Sequence, residues 1–129
     1  MLGLLAKEKS VGARGEQTAA KWLKKQGYRV LGKNIRVGVG EADIVCLAPD
    51  KKTVVIVEVK ARIAQNEDGP RPERNVGSKK QQKLRSVARS IARKFDFEDR
   101  PIRIDVVGVE FIQNQKKPVI RHHPSAVSG

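Results

Sequence analysis

Leu84, Val87, Ala88, Ile91, Ala92 and Phe95 recur in steps of three and four, the spacing of one face of an α-helix. Lys79, Lys80, Lys83, Arg85, Arg89, Arg93 and Lys94 fill the positions between them. The pattern predicts a long helix, apolar on one side and basic on the other. Ser78-Lys79-Lys80-Gln81 fits a capping box with Ser78 as the cap. A first helix is predicted over residues 12–26. Ser10 is its candidate cap, Ala13, Ala20 and Leu23 carry the periodicity, with Ala19 and Trp22 beside them, and Gly27 stands where the residue after a helix belongs.

Strands are predicted over residues 28–36, 41–48, 53–60, 102–112 and 119–122. Ile44 to Leu47 and Val54 to Val57 are apolar without alternation, which marks central strands covered on both faces. Asn66, Asp68, Gly69, Pro70 and Pro72 predict a mobile loop over 65–75, and residues 1–10 read as a flexible arm. The order is helix, three strands, helix, two strands. That order predicts one α/β domain spanning 1–129, a three-layer sandwich with a mixed central sheet flanked by helices.

Composition narrows the partners. The 129 residues carry 27 Lys and Arg against 14 Asp and Glu, a net charge of +13. Such an excess favours polyanions, nucleic acid first and an anionic membrane surface second. Hydrophobic residues make up 39%, too many for a disordered basic tail, and no apolar run is long enough to span a membrane. The lone Cys46 excludes an internal disulfide and a multi-cysteine zinc site. A cytoplasmic protein without a membrane anchor is expected. Aromatics at 4% disfavour recognition of single strands by stacking.

The candidate chemistry lies on the second and third strands. A four-residue turn at 49–52 pairs Ala48 with Thr53, and the same register brings Asp43 opposite Glu58. Directly opposed side chains lie about 5 Å apart at Cβ. Lys60, two residues beyond Glu58, leaves on the same face. A one-residue slip would turn Asp43 away. Two facing carboxylates on central strands repel unless compensated, and a hard divalent cation such as Mg²⁺ compensates them with waters and phosphate oxygens completing its shell. Lys60 beside it can stabilise phosphate charge or activate a water. Asp50-Lys51-Lys52 repeats the acid–lysine spacing but falls in the turn. Glu16 is an acid on the buried stripe of the first helix; it either belongs to the site or complements the helix's positive end.

Asp43…Glu58-Val59-Lys60 resembles the D…(D/E)xK motif of the restriction-endonuclease-like nuclease superfamily. More narrowly, the chain resembles the YraN-like family of small bacterial proteins, themselves similar to archaeal Holliday-junction resolvases. The resemblance runs through Gly12-x-x-Gly15-Glu16, Gly27-Tyr28, Asn34-x-Arg36, Gly40-Glu41-Ala42-Asp43-Ile44-Val45, Val57-Glu58-Val59-Lys60-x-Arg62, Lys80-Gln81 and Arg103-Ile104-Asp105. Ala42 stands where the family more often has a larger aliphatic residue. The resemblance implies Mg²⁺- or Mn²⁺-dependent hydrolysis of DNA phosphodiester bonds, with branched DNA and a homodimer among the expectations. It assigns Asp43, Glu58 and the Val59 carbonyl to the metal, Lys60 to the water and phosphorus, and Glu16 to an outer acid. Lys80 and Gln81 would lie near the scissile phosphate, and Glu41 would be a rim ligand or a strand-end charge.

Arg62, Lys79 and Lys83 join the candidate nucleic-acid contacts, with Lys51, Lys52 and residues 71–74. His122 and His123 lack a third ligand at metal spacing, so phosphate contact or solvent exposure is expected. Cys46, Trp22 and Tyr28 are expected to pack, and Asp105 to accept structural hydrogen bonds. Two other readings remain open: a non-catalytic nucleic-acid-binding protein on the same fold, and an RNA-associated basic protein.

Overall fold

A computed structural model describes residues 10–128, the side chain of Asn75 excepted. Helix α1 is Val11–Lys25, followed by strands β1 (Arg29–Val37), β2 (Gly40–Leu47) and β3 (Val54–Ala64). A single 3₁₀ turn at Pro72–Asn75 precedes helix α2 (Ser78–Lys94), and β4 (Ile102–Ile112) and β5 (Val119–Val127) complete the chain. The expected arm falls outside the described residues except for Ser10, whose hydroxyl caps α1 by accepting from the Ala13 N–H at 3.1 Å.

The five strands form one mixed sheet in the order β1-β2-β3-β4-β5. Only β3 and β4 run parallel, and α2 makes the crossover such a pair requires. One core joins Ala19, Ala20 and Leu23 of α1 to Ile44, Cys46, Val55, Val57, Val107 and Val109. The other joins Leu84, Val87, Ala88 and Ile91 of α2 to Ala42, Val45, Val54, Ile56 and Ile104. The helices therefore cover opposite faces, and the three-layer α/β sandwich read from the sequence is the fold. Apolar runs without alternation are what two covered faces require.

Gly15 sets how closely α1 approaches the sheet. A Cβ there would stand 2.4 Å from the Ala61 Cβ, so only glycine fits. The next residue, Glu16, is thereby held against the sheet.

Several expectations are corrected. Strand β3 extends to Ala64, because parallel pairing with β4 continues from Val54↔Ile102 to Ala64↔Ile112. Strand β5 runs on to Val127 through Pro124, which the sheet's outer edge tolerates because no neighbour needs that N–H. The capping box at Ser78 does not form. Gly77 occupies the cap position, and the Gln81 amide instead donates to the Val76 carbonyl at 3.0 Å. Within the expected 65–75 loop, Glu73 is buried against β4 and β5.

Candidate metal and nucleic-acid site

The turn between β2 and β3 is fixed by Asp50. Its carboxylate accepts from the N–H groups of Lys52 and Thr53 at 2.8 and 2.9 Å and from the Thr53 hydroxyl at 2.6 Å. Ala48 N–H then donates to the Thr53 carbonyl at 2.9 Å, and the ladder runs from Leu47↔Val54 to Ile44↔Val57. This is the register expected from the sequence. It carries Asp43 to Glu58, but the two strands part there. Asp43 Oδ2 accepts the Val59 N–H at 2.8 Å, so a side chain replaces the next rung of the ladder.

The pleat also breaks at Asp43. Ala42 and Ile44, two residues apart, pack into opposite layers. Across on β1, Asn34 lies between the paired residues Lys33 and Ile35 and has φ +52°, a conformation asparagine tolerates better than most residues. Polar side chains gather in a notch at this irregularity. With its nitrogen facing the acids, the Asn34 amide donates to Glu16 Oε1 and Glu41 Oε1, each at 2.9 Å. Glu16, Glu41, Asp43 and Glu58 thus form one acidic group at the place where β2 leaves β3.

The electrostatics of this group are unfavourable. Burial and the neighbouring Glu58 carboxylate push the Asp43 carboxyl well above the ordinary range, against the lowering effect of the Val59 N–H. Glu16 is also raised, first by burial; the Asn34 amide lowers it in part, and the charges of Glu41 and Glu58 raise it. Glu58 is 7% exposed, and its Oε2 has no hydrogen-bond partner among the described residues. Lys80 Nζ lies 2.9 Å from that oxygen, an ion pair out of hydrogen-bonding alignment.

Asp43 and Glu58 open into a groove of about 900 Å³ between the β1–β2 hairpin and α2. Arg36, Lys80, Lys83 and Lys94 are among its lining residues, so an acidic floor lies beneath basic walls. Lys83 contacts the hairpin, since a Cβ on Gly40 would meet its Cε at 3.1 Å.

The remaining candidates lie as follows. Lys60 is half-buried on β3, level with Gly108 of β4, and makes no ion pair with the described residues. Val59 presents its N–H to Asp43. Lys79 is exposed in the first turn of α2, and Gln81 holds the Val76 carbonyl. Arg62, four residues beyond Glu58, is bound to Glu110, with Nη2 2.6 Å from Oε2.

Two clusters of buried charge lie outside the notch, and the partners in both escaped the sequence reading. Glu110, fully buried, is shared by Arg62 and Arg121, and Arg121 also holds Glu73 at 2.6 Å. Glu73 lies directly over Gly108, where a Cβ would meet its Oε1 at 2.1 Å. On the α1 face Asp105 accepts from Arg103 at 2.9 Å and from the Ser125 N–H at 2.9 Å, and lies 2.7 Å from His122 Nε2. His122 is wedged edge-on against Trp22 and Tyr28 with its side chain 10% exposed. The expected exposure of His122 is therefore corrected, while His123, 3.0 Å from Glu73, keeps one side open. Asp105 is the structural acceptor foreseen. Cys46 is buried in the α1 core, and burial pushes its thiol up to about 12. The signal for both clusters was present: acids at 105 and 110 inside an apolar strand need partners as much as Glu58 does.

The sequence model of the uncharacterised protein family UPF0102 matches residues 15–109. A UPF0102 protein of Anaeromyxobacter dehalogenans is 36% identical over 93% of this chain and 85% of its own. One from Alkaliphilus oremlandii is 38% identical over 92% and 97%, and one from Geobacter metallireducens 38% identical over 92% of each. Among the described residues no helix is long and apolar enough to cross a membrane.

Proposed function

This chain belongs to the uncharacterised protein family UPF0102, and from its acid notch we propose that it is a metal-dependent endonuclease hydrolysing DNA phosphodiester bonds, with branched DNA a substrate to test first. One observation carries the reading: a buried Glu58 oxygen without a hydrogen bond, beside an Asp43 whose ionisation is opposed. A folded protein leaves such a pair under-compensated at a cost of several kcal/mol unless something cationic completes it.

The donors fit a hard divalent cation. They are the oxygens of two carboxylates and one backbone carbonyl, and one side faces an open groove, which suits Mg²⁺ or Mn²⁺ keeping waters and a phosphate oxygen. Asp43, Glu58 and the Val59 carbonyl would hold it. When bound, such a cation would supply Lewis-acid polarisation of the phosphoryl group and a more acidic water. Glu16, anchored by Asn34, would position a water at the rim. Lys60, free of ion pairs with the described residues, would stabilise the charge that builds on the phosphoryl oxygens. Arg36 and Lys83 would hold flanking phosphates, which fixes position without reading sequence. A junction with two-fold symmetry would call for a second copy of the chain as partner.

The test is a panel of end-labelled duplex, flap and four-way-junction DNA incubated with Mg²⁺ or Mn²⁺, wild type beside Lys60→Ala. Cleavage by wild type, absent without metal and lost in the variant with DNA binding kept, supports the proposal. Binding of DNA without cleavage of any form would leave a nucleic-acid-binding protein instead.

A further inference from the structure

Lys80 is placed against the interest of its own helix. It stands in the first turn of α2, where no acidic residue is present and where the helix dipole disfavours a cation. Its ammonium is nevertheless 2.9 Å from the buried Glu58 oxygen while its side chain remains 39% exposed in the groove wall. Fully ionised, as a bound metal would require, the two carboxylates carry two negative charges, and Lys80 supplies one positive charge, to Glu58. The contact is also poor as a hydrogen bond, since Glu58 Oε2 finds no aligned donor among the described residues. A tether of four methylenes lets the ammonium move several ångströms without disturbing the backbone.

We propose that Lys80 is a resident counter-cation that alternates between two partners: it holds Glu58 while no divalent cation is bound, and turns to a backbone phosphate in the groove when one is. The inference rests on the metal site of the proposed function and adds a coupling to it. Lys80 competes with the metal for Glu58, and Glu58 competes with phosphate for Lys80. Uptake of a divalent cation then frees a positive charge for DNA, and DNA, by drawing Lys80 away, strengthens cation binding by the same factor. An acid pair guarded in this way takes up its cation most readily once a polyanion already lies in the groove.

The experiment has two parts, neither read from cleavage. In the first, Mn²⁺ is titrated calorimetrically into DNA-free protein at fixed ionic strength. Lys80→Gln, which keeps an amide donor for Glu58, is expected to bind Mn²⁺ about fivefold or more tightly than wild type, the lower end of ordinary coupling. Lys116→Gln, the same charge change on the exposed β4–β5 turn, is expected to match wild type. In the second, affinity for a fluorescent duplex is measured in EDTA. Glu58→Gln is expected to bind tighter than wild type, and that gain is expected to disappear in the Glu58→Gln/Lys80→Gln double variant. Thermal melts of each variant establish that it is folded. Mn²⁺ affinity in Lys80→Gln equal to or weaker than wild type would overturn the proposal, as would a Glu58→Gln gain that survives without Lys80. If wild type binds Mn²⁺ and cleaves DNA while Lys80→Gln leaves both affinities unmoved, the coupling falls and the nuclease reading stands. If both affinity shifts occur and no DNA is cleaved, the coupling stands and the nuclease reading falls.

Discussion

Glu73, Asp105 and Glu110 are about as buried as Glu58, yet each meets an arginine at 2.6–2.9 Å. Asp43 and Glu58 meet each other and a single half-exposed lysine. The consequences run in opposite directions. Hydrogen bonds from Arg121 and His123 hold Glu73 down at about 2 against its burial. Asp105 and Glu110 are likewise lowered by their partners, with burial opposing in each case. Asp43 and Glu16 are raised. Burial alone does not distinguish scaffold from site; the supply of fixed, forked cations does. Where the fold needs a buried acid it encloses it in guanidinium groups. Where acids are left to repel one another, as at Asp43 and Glu58, the proposed divalent cation would compensate them.

The strongest way to break the comparison is to take the scaffold's cation away. Arg121→Ala leaves Glu110 with Arg62 alone and Glu73 with His123 alone, and about 3 kcal/mol of stability is expected to go, read as a lower urea midpoint. Lys60→Ala probes the other region. A cleavage rate lower by about 10²–10³ is expected, the usual effect of losing one group that stabilises transition-state charge, with the melting temperature unmoved.

The pH dependence sharpens the contrast further. Glu73, Asp105 and Glu110 have depressed folded pKa values, so their contribution is full above the ordinary carboxylate range and is lost only as pH falls through the folded values. Asp43 has the opposite sign. Its folded pKa is raised, so the folded state holds a proton that the unfolded state releases, and stability falls as pH rises from about 4. Asp43→Asn keeps an acceptor for the Val59 N–H and removes the charge. At pH 8, without divalent cations, it is expected to melt about 3–5 °C above wild type, corresponding to about 1 kcal/mol. Near pH 4 the two are expected to converge. The smallest effect is expected at the groove wall. Lys83→Ala should weaken duplex binding a few-fold and reduce the salt slope of log affinity by roughly one.

The difference between the two regions also explains what the sequence disclosed. The Asp43–Glu58 register was legible because the Asp50 turn is local: four residues set the pairing of the whole hairpin. The helices were legible from their stripes, and β4 was found to the residue. The arginine network was not, because Arg62–Glu110 and Arg121–Glu73 each join residues 48 apart through the parallel register of β3 with β4 and the dock of the 3₁₀ turn. Arg62 is a candidate DNA contact in the sequence, where nothing reveals that a buried glutamate already holds it. The Lys80–Glu58 pair escaped for the same reason, since it spans two layers. The break in β2 at Asp43 had no sequence signal beyond Asn34, whose left-handed backbone gains meaning only beside its partner strand.

The proposed site rests on an Asp43–Glu58 pair kept under-compensated for a divalent cation. Calorimetric titration of Mn²⁺ into wild type and Asp43→Asn at pH 8 tests it most directly. A saturable site in wild type that Asp43→Asn loses is the expected result. No binding to wild type, or equal binding to both proteins, would contradict it.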